Sequence, residues 1–83
     1  MKAKGLGGWG VRQEELAKER RLALLLADGT GDFDFVRAAS IQNWVVLEGH
    51  VKRVRNKERA EELAHYVGFD AVVNTLRIYP ARV

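Results

Sequence analysis

Along this chain of 83 residues, apolar positions recur at helical spacing, then alternate, then return to helical spacing and alternate once more. In residues 11–27, Leu16, Ala23, Leu24 and Ala27 fall at i, i+7, i+8 and i+11, which predicts a helix with one apolar stripe. Glu14 and Glu15 would sit in its first turn, where carboxylates suit the positive end of the dipole, and Gly29 would follow as its stop. After a loop at 31–34, residues 35–41 and 44–51 are expected to be extended and paired as a hairpin. Gln42-Asn43 forms the two-residue turn, since asparagine tolerates positive φ. The second run, rich in β-branched and aromatic side chains, is the strongest strand signal in the chain. Asn56 predicts the N-cap of a second helix with Glu58 in its first turn, and Ala60, Leu63, Ala64 and Val67 give it a clean stripe that ends at Gly68. Residues 70–79 alternate, with Val72, Leu76 and Ile78 on one side, and predict a last strand stopped by Pro80.

The expected fold is a single α+β domain of order α-β-β-α-β, a three-stranded sheet with two helices on one face. Val36 and Ala38, then Val45, Leu47 and Val51, then Val72, Leu76 and Ile78 would point to the helices. Gly49 lies among them, and a glycine there suggests close approach by a helix. Residues 1–10, with four glycines and two lysines, are expected to be a flexible arm; 11–80 form the domain and 81–83 a tail.

Composition narrows the chemistry. There is no cysteine, which excludes a disulfide framework and a cysteine zinc site. A net charge of +3 is mildly basic and favours anionic partners without requiring them. No apolar run is long enough to span a bilayer. Arg20-Arg21 precede the short apolar run 22–27, which falls below the length of an export signal's core and is expected to be a buried helix. As it stands, the chain is expected in the cytoplasm; as a piece of a longer protein it would fit the envelope.

Three segments resemble the BON family. Trp44-Val45-Val46-Leu47-Glu48-Gly49-His50-Val51 is similar to the family's strand carrying Leu-x-Gly-x-Val. Glu58-Arg59-Ala60, with Leu63-Ala64 and Val67-Gly68-Phe69, is similar to its second helix and the turn after it. Val72-Val73-Asn74-Thr75-Leu76-Arg77-Ile78 is similar to its closing strand. The resemblance spans roughly residues 13 to 79. It departs at the hairpin, where the family has Asn-Gly, and lacks the usual proline before the glycine after the second helix. What it implies is a non-catalytic binding module of bacterial type. Members engage phospholipid surfaces, and some are linked to osmotic stress or potassium sensing.

Two groups of residues are candidates for contact. Lys52, Arg53, Arg55, Lys57 and Arg59 place five cations within residues 52–59, and Asn56 with the helix start adds donors for phosphate. Anionic phospholipid or another phosphate-bearing surface is the expected ligand of this cluster. On the outer sheet face, Ile41, Trp44, Val46, Val73 and Tyr79 would point away from the helices, among the polar Arg37, Glu48, His50, Thr75 and Arg77. That face predicts a protein interface or self-association, or a seat for Trp9 of the arm.

Other signals weigh little. Asp28, Asp32 and Asp34 lack the spacing of a calcium loop and are accounted for by turn chemistry. His50 and His65 have no further ligands near them in sequence, and Ser40, the only serine, sits in a predicted strand without a base. Gly5-Leu6-Gly7-Gly8 matches the spelling of a nucleic-acid-binding loop but lies in the arm rather than between helices. Neither catalysis, a cofactor, a metal nor nucleic acid is expected.

Overall fold

A computed structural model describes the backbone of residues 3–79 and the side chains from Gln13 onward. Two helices, α1 (Ala3–Leu26) and α2 (Val54–Tyr66), cover one face of a sheet built from β1 (Val36–Ile41), β2 (Trp44–Val51), β3 (Ala71–Asn74) and β4 (Arg77–Ile78). β1 pairs antiparallel with β2 across the expected turn, where Gln42 and Asn43 both adopt positive φ (51° and 65°). β2 is central. Its other edge takes β3 and then β4, both parallel, as the crossover through α2 requires.

The helix-facing strand positions are those expected from alternation. Val45, Leu47, Val51 and Leu76 are almost fully buried, and Val36, Ala38, Val72 and Ile78 pack against the same core. α2 contributes Ala60, Leu63 and Ala64, with Val67 and Phe69 just beyond it. Each large apolar side chain buried this way contributes about 1.5–3 kcal/mol before entropy is counted.

Five expectations need correction, the last of them at Gly49. First, α1 begins at Ala3, so the segment expected to be an arm is helical in its backbone, and Glu14 and Glu15 lie well inside the helix. Once a helix is nucleated, each added residue gains a hydrogen bond, and this offsets part of the glycines' cost. Second, α1 buries a different stripe. Leu22 and Leu26 face the core, whereas Leu24 is 70% exposed and Leu16, Ala23 and Ala27 are also exposed.

The inward stripe continues through polar side chains. Glu15, itself buried, accepts the Asn43 N–H at 2.7 Å, and Glu19 accepts both the N–H (2.7 Å) and the hydroxyl of Ser40. Lys18 donates to Asn43 Oδ1 (2.5 Å) and to the Gly68 carbonyl (3.1 Å). Positions 15, 18, 19, 22 and 26 share one helix face. Three of them are charged because they bind turns and a strand edge rather than fill a core.

Third, α2 starts at Val54 with Arg53 as its N-cap in extended conformation, so Asn56 is the third helical residue, is buried, and caps nothing; Glu58 lies beyond the first turn. Fourth, the last strand is broken at Thr75–Leu76. The Asn74 carboxamide oxygen accepts the Leu76 N–H at 3.2 Å, while its nitrogen donates to Lys57 O and Glu61 on α2. Thr75 donates twice to the Leu47 carbonyl. Asn74 thereby replaces one rung of the ladder with a local turn tied to α2. β4 then resumes in the same register against β2.

Gly49 is required for a reason other than helix approach. Its φ is +115°, and a Cβ there would lie 1.8 Å from the Phe35 carbonyl oxygen. The constraint is backbone against backbone at the start of β1.

Candidate functional site: the uncovered sheet face

Because side chains alternate along a strand, the register that buries Val45 and Leu47 must turn Trp44, Val46, Glu48 and His50 to the opposite face. Among the described residues no helix lies over that face. The pairing arranges it in rungs. At the hairpin end stand Ile41, Trp44 and Ala71, followed by Ala39, Val46 and Val73. Next comes a polar rung of Arg37 and Glu48, whose side chains approach to 3.9 Å. The last rung pairs His50 with Arg77 on one side and Phe35 on the other, since the His50 N–H donates to the Phe35 carbonyl at 3.2 Å.

Of the residues singled out from sequence on this face, Ile41 is 69% exposed, Trp44 53%, Tyr79 53% and Val73 38%, while Val46 is half-buried by its neighbours. Phe35, 62% exposed, was not among them. It stacks on His50 with ring centroids 4.7 Å apart, and His50 meets Tyr79 at 5.1 Å. Extending the alternation back from Arg37 by two residues would have found it. Trp9 lies outside the residues whose side chains are described.

The basic segment runs from the end of β2 into α2. Lys52, Arg53 and Arg55 are exposed and form no ion pair among the described residues. Lys57 is half-buried, Asn56 is buried, and Arg59 pairs with Glu62 at 3.4 Å. A shallow pocket beside them on α2 is lined by Glu58, Glu61, Glu62 and His65, so the cations border an acidic surface.

A groove of about 600 Å³ runs between α1 and β1, with Leu16, Ala23, Phe33 and Ala38 in its walls and Glu19 and Arg20 at its rim. The loop after α1 is held by Asp28, which accepts the Thr30 N–H (3.0 Å) and hydroxyl (2.6 Å). The hydroxyl first and then the N–H hold the Asp28 carboxyl below its usual range. Turn chemistry accounts for this loop, as expected. Among the described residues, no group of three or more histidines or carboxylates is arranged to hold a metal. None of the described helices is long and apolar enough to cross a membrane.

Set against known proteins, the chain matches no family model and no curated sequence.

Proposed function

We propose that this chain is a BON-like, non-catalytic binding module that contacts a protein partner through the uncovered sheet face. One observation carries the reading: two adjoining rungs, Ile41–Trp44–Ala71 and Ala39–Val46–Val73, hold only apolar side chains and, among the described residues, have no helix over them. A contiguous apolar patch left to water is costly and marks an interaction surface far more often than isolated apolar residues do. Aromatic residues at its ends suit such a contact, because they bury large area at little rotamer cost. The polar rung between the patches gives the face a register as well as adhesion.

The test is photo-crosslinking in the source cell. A photoreactive residue at Val73, on the face, is expected to trap protein adducts, including any formed with the chain itself. The same group at Tyr66, exposed on α2 on the helical side, should trap none above background. Equal yields at the two positions, or none at Val73, would sink the reading.

A second reading rests on Lys52, Arg53 and Arg55, which are exposed and free of ion pairs among the described residues. Three such cations would contribute roughly 1 kcal/mol each beside an anionic membrane, a weak and salt-sensitive contact. Co-sedimentation with anionic but not neutral vesicles at low salt, abolished by Arg53→Glu with Arg55→Glu, is the expected result. Failure to sediment at low salt removes this reading and leaves the sheet face untouched.

A further inference from the structure

We infer that the partner seated on the sheet face is a second copy of this chain, related by a twofold axis running along the strands between β1 and β2. The inference rests on the proposed role of that face and names its occupant. Sheets stack face to face with strands nearly aligned, about 10 Å apart. A twofold axis lying between β1 and β2 brings each β1 residue opposite its own β2 rung neighbour in the other copy. Ile41 then meets Trp44 of the second chain, Ala39 meets Val46, Arg37 meets Glu48, and Phe35 meets His50.

Each β1–β2 pair is complementary under that operation, while Ala71 and Val73 lie at its margin. The small Ala39 faces the larger Val46, so the stacked sheets interdigitate rather than collide. The aromatic rung stacks again as it already does within one chain. Most decisive is the polar rung. Arg37 and Glu48 sit side by side in each copy, with side chains 85% and 58% exposed. Exchanging them across the axis builds a square of four charges in which every neighbour has the opposite sign. An axis along β2 would instead set Glu48 against Glu48, and an axis along the rungs would set Arg37 against Arg37 wherever the polar rungs meet. Both alternatives juxtapose like charges, which costs affinity and excludes the wrong register.

Two strands about 4.8 Å apart and four rungs about 7 Å apart bury on the order of 1,000 Å² in total once side-chain relief is counted. That is the lower limit for a specific interface, which suits a reversible pair rather than an obligate dimer.

Sedimentation equilibrium of the purified chain at 0.5 M salt, with the charge pair exchanged, tests the geometry. Arg37→Glu alone and Glu48→Arg alone should each weaken self-association at least about tenfold, because each makes the facing rung carry one sign. Mixing the two variants should restore dimerisation, as a heterodimer, to within a few-fold of the unaltered chain. Both positions are exposed, so each variant should stay folded and lose only a few degrees of thermal midpoint to the like-charged pair within its own hairpin, and melting curves check this. An unaltered chain that stays monomeric up to millimolar concentration overturns the second copy as partner. Crosslinking at Val73 to a different protein would then still support the face as a contact surface. A dimer that forms but ignores both charge reversals overturns the axis between β1 and β2.

Discussion

Replacing Gly49 with alanine is expected to cost at least about 3 kcal/mol and to lower the thermal midpoint by more than about 12 °C. Two penalties combine there. The backbone sits at φ +115°, a region that side chains rarely enter, and the new Cβ would lie 1.8 Å from the Phe35 carbonyl oxygen. Relief by moving Phe35 away would break its hydrogen bond from the His50 N–H and open the first rung of the β1–β2 ladder. Gly29 supplies the control. It also has positive φ, +86°, but nothing lies within 4 Å of the site of its Cβ. Gly29→Ala should therefore cost only the conformational term, about 1–2 kcal/mol. Urea unfolding of both variants separates the two causes, and equal losses would show that the Phe35 contact relaxes freely.

Glu19→Ala should destabilise the domain by about 2–3 kcal/mol, although it removes no apolar contact from the core. One carboxylate oxygen of Glu19 accepts both the N–H and the hydroxyl of Ser40, which is only 8% exposed. Alanine leaves both donors without that acceptor at the edge of β1, and hydrogen bonds to charged groups are the more valuable kind. Leu24→Ala, by contrast, alters a side chain 70% exposed and should stay within about 0.5 kcal/mol of the parent. The ranking inverts what hydrophobicity alone suggests. Chemical denaturation decides it, and a larger loss for Leu24→Ala would mean that α1 packs by its other face.

That inversion also shows where the chain is legible. Strand alternation can be read without knowing the partner, because a period of two assigns faces locally; hence the inward Val45, Leu47 and Val51 and the outward Trp44 and Val46 follow from sequence. α2 is legible because Ala60, Leu63, Ala64 and Val67 mark its stripe, although that stripe begins at the polar Asn56. α1 is not. Leucine and alanine occur all around it, and its inward face is marked by Glu15, Lys18 and Glu19, whose partners lie 21 to 50 positions away. A pattern that scores apolar spacing passes over side chains that face inward to bind backbone. Asn74 hid the break in the last strand similarly, since its turn is closed by α2. For the candidate site, alternation located the outer face but stopped short of Phe35. Within the basic segment, sequence could not show that a helix start at Val54 turns Asn56 inward.

The carboxylates of Glu15 and Glu19 have one more consequence, for growth. A free strand edge is a template on which like chains add one after another without limit. On β1, the Ser40 N–H that would greet an incoming strand is already taken by Glu19, and the adjoining turn N–H of Asn43 by Glu15. The opposite edge is broken into strands of four and two residues. Sideways addition is thereby hindered at both margins. An assembly in which two copies contribute the same β1–β2 patch occupies that patch on both, so it closes at a finite pair instead of running on as a fibre.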